Sequence, residues 1–86
     1  MAERTITVAS KSGLHARPAA IFVQKAKSFQ SQISLAKNAK TVNGKSILSV
    51  ISLGATQGDQ IILQANGEDA EAALDHLTSL LEKDLG

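Results

Sequence analysis

The residues best suited to chemistry lie in the segment Gly13–Ala20, which reads Gly-Leu-His-Ala-Arg-Pro-Ala-Ala. Proline is tolerated in the first turn of a helix, where its missing N–H costs little, so Pro18 predicts a helix start here. His15 then lies at or next to the helix N-cap. The backbone N–H groups of Ala16 and Arg17 have no partner within such a helix, and a helix N-terminus attracts anions.

A phosphoryl group is the anion whose chemistry fits this segment. The imidazole of His15 is a nucleophile near neutral pH, and Arg17 offers a forked donor suited to phosphate. Phosphoryl transfer needs mainly positioning and charge stabilisation, which a helix N-terminus and a guanidinium supply. We therefore predict that His15 carries a phosphoryl group and that Ser12, Ala16 and Arg17 bind it. On residue types alone, a second interpretation is equally open: His15 only caps the helix or lies in a turn.

Other chemistries at His15 find less support. A metal site would need a second His, Cys or carboxylate at ligand spacing, and none follows. Ser10 and Ser12 lie nearby, but the chain lacks the Gly-x-Ser-x-Gly turn of many serine hydrolases. The second histidine, His76, adjoins Asp75 on a predicted helix and is expected at the surface. We predict no metal and no cofactor.

Length and composition narrow the class of protein. The chain has 86 residues, 43% of them hydrophobic and none of them cysteine, which suits one domain over residues 1–86 with a packed core and no disulfides. There is no leader-like start and no apolar run of about 20 residues, so we expect a cytoplasmic protein without membrane insertion. The net charge is +1 and aromatic residues make up 2%, which argues against nucleic-acid binding.

The elements that must position His15 follow from hydrophobic periodicity. Alternating and β-branched residues predict four strands, at Thr5–Val8, Ile33–Leu35, Thr41–Val42 and Asp59–Ala65. Helical spacing of apolar residues predicts three helices: Ala16 to about Phe29, Ser46–Leu53, and a last helix capped by Asp69 and extending through Leu81. The order β-α-β-β-α-β-α predicts an α+β two-layer sandwich, in which the helices pack on one side of an antiparallel sheet.

The predicted second helix has a broad apolar surface. Ser46 suits its N-cap and Gly54 its C-terminal stop. Its apolar residues span roughly 220° of the helix surface, whereas a helix lying on one sheet needs about 100°. We expect Val50 and Leu53 to face the core, and the remaining apolar side chains predict a partner-docking patch of Ile47, Leu48 and Ile51. The alternative is that a neighbouring helix buries this surface.

Two parts of the chain resemble a known family. The segment Gly13–Ala19 is similar to the active-site signature of HPr, the histidine-containing phosphocarrier family of the bacterial phosphoenolpyruvate-dependent sugar phosphotransferase system. The segments Asn43–Val50 and Ser52–Gly54 resemble the regulatory serine segment of the same family. Length and element order also fit, so the resemblance covers essentially the whole chain. It implies an open-faced sandwich, with a four-stranded antiparallel sheet and three helices on one face.

The resemblance implies a role for several residues. Enzyme I, using phosphoenolpyruvate, would phosphorylate His15 with the help of Arg17, and the group would pass to the IIA domains of sugar permeases. The protein would be a carrier and not an enzyme, with a monomer as the default. An HPr kinase/phosphorylase would phosphorylate Ser46, adding about −1.5 to −2 charge at a helix N-terminus that favours it. A catabolite-control regulator is a further implied partner.

Two alternatives from other classes are open. One is a regulatory relative, either of the nitrogen-related branch, which keeps the histidine, or of the catabolite-repression Crh type, which lacks it and therefore fits a chain with His15 less well. The other is a hydrolase or an RNA-binding module. The missing second acid–base residue and the missing basic face count against these.

Overall fold

The computed structural model describes residues 2–85, and this part of the chain forms seven regular elements. In chain order these are β1 (Ala2–Thr7), α1 (Ala16–Ala26), β2 (Gln32–Lys37), β3 (Lys40–Asn43), α2 (Ile47–Ser52), β4 (Gln60–Asn66) and α3 (Ala70–Leu81). Their order is the predicted β-α-β-β-α-β-α.

The strands form one antiparallel sheet in the order β1-β4-β2-β3. β4 lies inside the sheet, where Ile61 pairs with Ile6 of β1 and Leu63 pairs with Leu35 of β2. Because side chains alternate across a strand, these residues share one sheet face, and all of them are buried beneath the helices. The predicted α+β sandwich, with four antiparallel strands and three helices on one face, is confirmed.

The core lies between this sheet face and the helices. Phe22 and Val23 of α1, Val50 of α2, and Leu74 and Leu77 of α3 are each at most 1% exposed. Their burial removes apolar surface from water, which is the main force that stabilises a small domain. The apolar spacing that predicted the helices therefore marks the faces by which they pack.

The strands differ from the predicted ones at their ends. β2 covers Gln32–Lys37 rather than Ile33–Leu35, and β3 covers Lys40–Asn43 rather than Thr41–Val42. The additional residues are mostly polar, so hydrophobic alternation does not register them, but they pair across the ladder. β1 ends at Thr7, one residue before the predicted end at Val8, and Val8 is buried although it lies outside the strand.

α1 ends at Ala26, three residues before the predicted end at Phe29. The Ser28 hydroxyl and N–H both donate to the Lys25 carbonyl, at 2.6 and 3.0 Å, and the Phe29 N–H donates to the Ala26 carbonyl at 3.2 Å. These bonds span three residues rather than four, so the backbone leaves the α-helix. Phe29 still packs against the core, half-buried, which is why apolar spacing extended the helix too far.

Asp69 occupies the N-cap position of α3, as predicted, but its side chain makes no capping hydrogen bond. The carboxylate instead accepts hydrogen bonds from the Gln30 N–H at 2.8 Å, the Ser31 N–H at 2.9 Å and the Ser31 hydroxyl. The Ser31 hydroxyl, followed by the Gln30 N–H, holds the pKa of Asp69 below its ordinary value. Asp69 therefore fixes the connection between α1 and β2, a contact that no local pattern indicates.

Candidate functional site

His15 lies at the N-cap of α1 with its side chain exposed. Its backbone is extended, with φ −85° and ψ −164°, and its carbonyl accepts the first helical bond from the Ala19 N–H at 2.8 Å. The imidazole makes no capping hydrogen bond. The backbone of His15 thus starts the helix as predicted, while its side chain does not serve as the cap.

The first turn of α1 places three further predicted features around His15. Ala16 and Arg17 are the first two helical residues, so their N–H groups have no acceptor within the helix, and both residues are exposed. Pro18 follows as the third helical residue and is buried. Among residues 2–85, no carboxylate forms an ion pair with Arg17. This end of α1 can therefore bind an anion that approaches from solvent.

The His15 loop, residues 8–15, lies against residues 54–59, which we call the support loop. Leu14 is buried, and its N–H donates to the Ala55 carbonyl at 3.0 Å. Val8 bonds to the support loop twice, accepting from the Gly58 N–H and donating to the Asp59 carbonyl, each at 2.9 Å. Sequence reasoning missed the support loop, because the two loops are far apart in the chain and neither carries a periodic pattern.

Gly13 permits the close approach of the two loops. Its φ is +68°, a left-handed conformation that residues with side chains disfavour. A Cβ atom at this position would lie 2.3 Å from the Ala55 carbonyl oxygen and 2.9 Å from the Thr56 Cα. Both the backbone conformation and the packing at this position therefore require a glycine.

Ser12, predicted to bind phosphate, is exposed in the turn before Gly13. The start of this turn is anchored by the segment after α3. The hydroxyl of the buried Ser10 accepts from the Leu85 N–H at 2.9 Å, and the Lys11 N–H donates to the Asp84 carboxylate at 3.3 Å. Ser12 thus shares the loop of His15, and its binding of phosphate stays a prediction.

Ser46 is the N-cap of α2, as predicted. Its backbone is extended, its carbonyl accepts from the Val50 N–H at 3.0 Å, and its hydroxyl accepts from the Ser49 N–H at 3.4 Å. The residue is half-buried. The hydroxyl therefore takes part in capping and still reaches the surface.

The apolar residues of α2 divide into buried and exposed side chains largely as predicted. Val50 and Leu53 are 0% and 5% exposed, whereas Leu48 is 80% exposed and Ile47 is 42% exposed. Ile51 departs from the prediction, because it is partly buried against the core. The exposure of Leu48 rules out the alternative that a neighbouring helix covers the whole surface. Since α2 packs against α1, the patch lies on the helix that adjoins the one beginning after His15.

The end of α2 is held by two lysines that sequence reasoning also missed. The helix has no basic residue in its own last turn. Instead, the Lys40 ammonium donates to the Ser52 carbonyl at 2.6 Å, and the Lys37 ammonium donates to the Gly54 carbonyl at 3.0 Å. Cations at the carbonyl end of a helix are favourable, and here the β2–β3 hairpin supplies them from elsewhere in the fold.

Other kinds of site find no support in the described part of the chain. Residues 2–85 contain no group of three His, Cys, Asp or Glu side chains that could hold a metal ion. Within the same residues, no helix has the length and apolar character needed to cross a membrane. His76 is exposed on α3, as predicted, with its ring 5.8 Å from that of Phe29.

Comparison with known proteins places this chain in a family. A family model described as the "PTS HPr component phosphorylation site" matches residues 2–83. The phosphocarrier protein HPr of Buchnera aphidicola subsp. Acyrthosiphon pisum is 43% identical over 81 residues, covering 94% of this chain and 95% of that protein. The HPr-like protein Crh of Bacillus subtilis is 41% identical over 85 residues, covering 99% of this chain and 100% of that protein.

Solved structures agree with these matches. HPr-C-His from Thermoanaerobacter tengcongensis superposes with a TM-score of 0.92 at 51% identity, covering 95% of this chain and 92% of that one. A structure of the HPr dimer from the same organism superposes with a TM-score of 0.79 at 50% identity, covering 100% of this chain and 99% of that one. With the family model, the relatives and the fold in agreement, the chain belongs to the HPr family of carrier proteins, which are not enzymes.

Proposed function

We propose that this protein accepts a phosphoryl group on His15 from phosphorylated enzyme I and passes it to the IIA domains of sugar permeases. The observation that carries the proposal is the exposed His15 side chain at the N-cap of α1, where it makes no capping bond. In the forward step, a bond forms between a ring nitrogen and phosphorus while the bond between phosphorus and the donor breaks. The same exchange then loads the acceptor.

The first turn of α1 supports the phosphorylated state. α1 is 11 residues long, so its N-terminus carries a partial positive charge that favours an anion. Four donors are assigned to the phosphoryl oxygens: the N–H groups of Ala16 and Arg17, which have no acceptor within the helix, the Arg17 guanidinium and the Ser12 hydroxyl. All of these residues are exposed. Such a site stabilises the phosphoryl group without enclosing it, which suits a carrier that must release it.

A regulatory role without phosphoryl transfer is the principal alternative, because the Crh relative matches at a similar identity. The Crh type lacks the active histidine. This chain has His15, and it has Arg17 two residues later on the same helix end. These two residues favour the carrier role over the Crh role.

Intact-mass measurement tests the carrier role directly. We expect purified protein, enzyme I and phosphoenolpyruvate to yield one added phosphoryl group that is labile in acid. The addition is lost in His15→Ala and retained in His76→Ala, a matched control at the other histidine, which is exposed on α3. No added mass with an enzyme I that phosphorylates another HPr would contradict the proposal.

We further propose that Ile47, Leu48 and Ile51 dock enzyme I and the IIA domains, and that Ser46 is a regulatory phosphorylation site. Leu48 is the most exposed of these side chains, and Ser46 precedes the patch by a single residue. The enzyme acting on Ser46 would be an HPr kinase/phosphorylase, with a catabolite-control regulator as a further partner. A phosphoryl group there would place about −1.5 to −2 charge beside the apolar contact and weaken it.

The Ser46 proposal predicts that Ser46→Asp slows the phosphorylation of His15 by enzyme I. Ser79→Asp is the matched control, because it adds the same charge to an exposed serine of α3. Initial rates with enzyme I provide the measurement. Equal rates for the Ser46 variant and the wild type would remove the idea.

We also propose that residues 1–86 act as one domain and as a cytoplasmic monomer. A carrier must present His15 to a donor and an acceptor in turn, and a monomer leaves this surface accessible on every copy. The HPr dimer of T. tengcongensis represents the contrary case. Sedimentation equilibrium distinguishes the two, and a stable dimer at micromolar concentration would contradict the monomer.

A further inference from the structure

Asp59, the last residue of the support loop, brings three donors to a single carboxylate oxygen. Its Oδ2 accepts from the Thr56 N–H at 2.8 Å, from the Thr56 hydroxyl at 3.0 Å and from the Lys37 ammonium at 2.9 Å. The Thr56 N–H, followed by Lys37, lowers the pKa of Asp59 to about 2, so the carboxylate is ionised at neutral pH. These bonds close residues 56–59 into a turn.

Lys37 ties the two ends of the support loop together. The ammonium group that contacts Asp59 also donates to the carbonyl of Gly54, the first residue of the loop, at 3.0 Å. The Lys37 and Asp59 side chains are 25% and 29% exposed. Water and salt screen a half-buried pair less than a fully exposed one, so this pair is suited to holding the loop in one shape.

The His15 loop is built on the residues that this ion pair holds. The carbonyl of Ala55, between Gly54 and Thr56, accepts the N–H of Leu14, the residue before His15. The Asp59 carbonyl accepts the Val8 N–H at the other end of the His15 loop. A change in the shape of the support loop therefore moves the backbone that leads into His15.

We infer that Lys37 and Asp59 are positioning residues for phosphoryl transfer, because their ion pair fixes the support loop that places His15. The inference rests on the proposed carrier function of His15. Both residues act through Ala55 and Leu14 rather than by touching the phosphoryl group. Since transfer rates depend steeply on the placement of the reacting atoms, losing the pair slows transfer and leaves docking on the α2 patch largely unchanged.

Amide hydrogen exchange tests the placement of the loop without any partner protein. In Lys37→Met and in Asp59→Asn, we expect the Leu14 N–H to exchange at least about tenfold faster, as a local opening of the support loop predicts. The exchange of the Leu63 N–H, in the middle of the sheet, reports global stability, and we expect it to rise less than that of Leu14. Lys40→Met is the matched control, because it removes a lysine of the same hairpin that contacts Ser52 and not Asp59.

Transfer kinetics with enzyme I test the consequence. We expect kcat to fall by about threefold to tenfold in Lys37→Met and Asp59→Asn while KM changes less than about twofold. Lys37→Arg, which keeps the charge, restores most of kcat. Arg4→Met serves as a control that breaks a different ion pair, between Arg4 and Asp75 at 3.0 Å, and it leaves kcat unchanged.

Amide exchange and transfer kinetics together distinguish the positioning role of the ion pair from the carrier function of His15. Unchanged Leu14 exchange in both variants, an equal change at Leu63, or an unchanged kcat would overturn the positioning role. If the wild type accepts no phosphoryl group from an active enzyme I while Leu14 exchange responds as expected, the support of the His15 loop stands and the carrier function fails.

Discussion

The N-termini of α1 and α2 share a backbone arrangement and use their first side chains differently. His15 and Ser46 both occupy N-caps with extended backbones. Each carbonyl accepts from the residue four positions later, Ala19 at 2.8 Å and Val50 at 3.0 Å. The Ser46 hydroxyl also accepts from the Ser49 N–H, whereas the His15 side chain makes no capping bond.

The difference lies in what holds each helix end in place. A capping hydroxyl stabilises the start of a helix through a bond within a few residues of sequence. The start of α1 has no such side-chain bond and rests on the support loop, through Leu14 and the close packing of Gly13 on Ala55. A side chain released from capping is available for chemistry, and tertiary contacts then take over the structural role.

Gly13→Ala has the largest expected effect on stability, because it disrupts the packing that holds the N-terminus of α1 in place. The substitution combines strain at a positive φ with overlap of the new Cβ and the Ala55 carbonyl, so we expect a loss of at least ~2 kcal/mol in the free energy of unfolding. Urea denaturation measures it.

Gly54→Ala is the matched control for Gly13→Ala. Gly54 has nearly the same φ, +71°, but a Cβ there meets nothing within 4 Å, so only the strain remains, at about 1 kcal/mol. Equal losses in the two variants would show that the packing of Gly13 on Ala55 contributes nothing.

Ser46→Ala and His15→Ala compare directly how much the two N-cap side chains contribute to stability. We expect Ser46→Ala to lower the free energy of unfolding by about 1 kcal/mol, because it removes a capping hydroxyl. His15→Ala removes an exposed side chain without a capping bond, so we expect a change within about 0.5 kcal/mol. Thermal or urea denaturation of both variants is sufficient, and the opposite ranking would refute the assignment of the two caps.

The smallest expected effect is a pH dependence of stability. We expect it for the support loop that holds the start of α1 and not for the Ser46 cap of α2. The pKa of Asp59 is lowered from 3.8 to about 2 in the folded protein. Its ionised form therefore stabilises the fold above about pH 3.8, and this contribution is lost as the pH falls towards 2. The Ser46 hydroxyl does not titrate in this range.

We therefore expect the difference in stability between wild type and Asp59→Asn to shrink from pH 5 to pH 2. The difference between wild type and Ser46→Ala stays constant over the same range. Denaturation midpoints at several pH values measure both. A constant difference for Asp59→Asn would contradict the role of its charge.

Local patterns in the sequence account for the fold class and for the position of His15 at the start of a helix. Apolar spacing placed the buried faces of α1 and α3, and alternation located every strand, though not the polar residues at the strand ends. Pro18 and Ser46 marked the starts of α1 and α2 because proline geometry and hydroxyl capping act within one turn. The exposure of Leu48 followed from counting apolar residues around a short helix.

Two hydrogen-bond arrangements escaped sequence reasoning, one between remote segments and one at the end of α1. Asp69 looks like a cap from its neighbours but binds Gln30 and Ser31. α1 stops at Ala26 although Phe29 continues the apolar spacing. In both cases hydrogen bonds decide the local structure, and the spacing of apolar residues does not identify the partners in these bonds.

The sequence by itself determined that His15 begins a helix beside Arg17, because helix-start signals are local. Only the tertiary structure decided how His15 is held. The support loop, the Asp59 turn and the bonds of Lys37 join segments that are remote in sequence. A backbone carbonyl such as that of Ala55 can accept a bond whatever side chain the residue carries, so residue identity gives no sign of such a contact until the chain has folded.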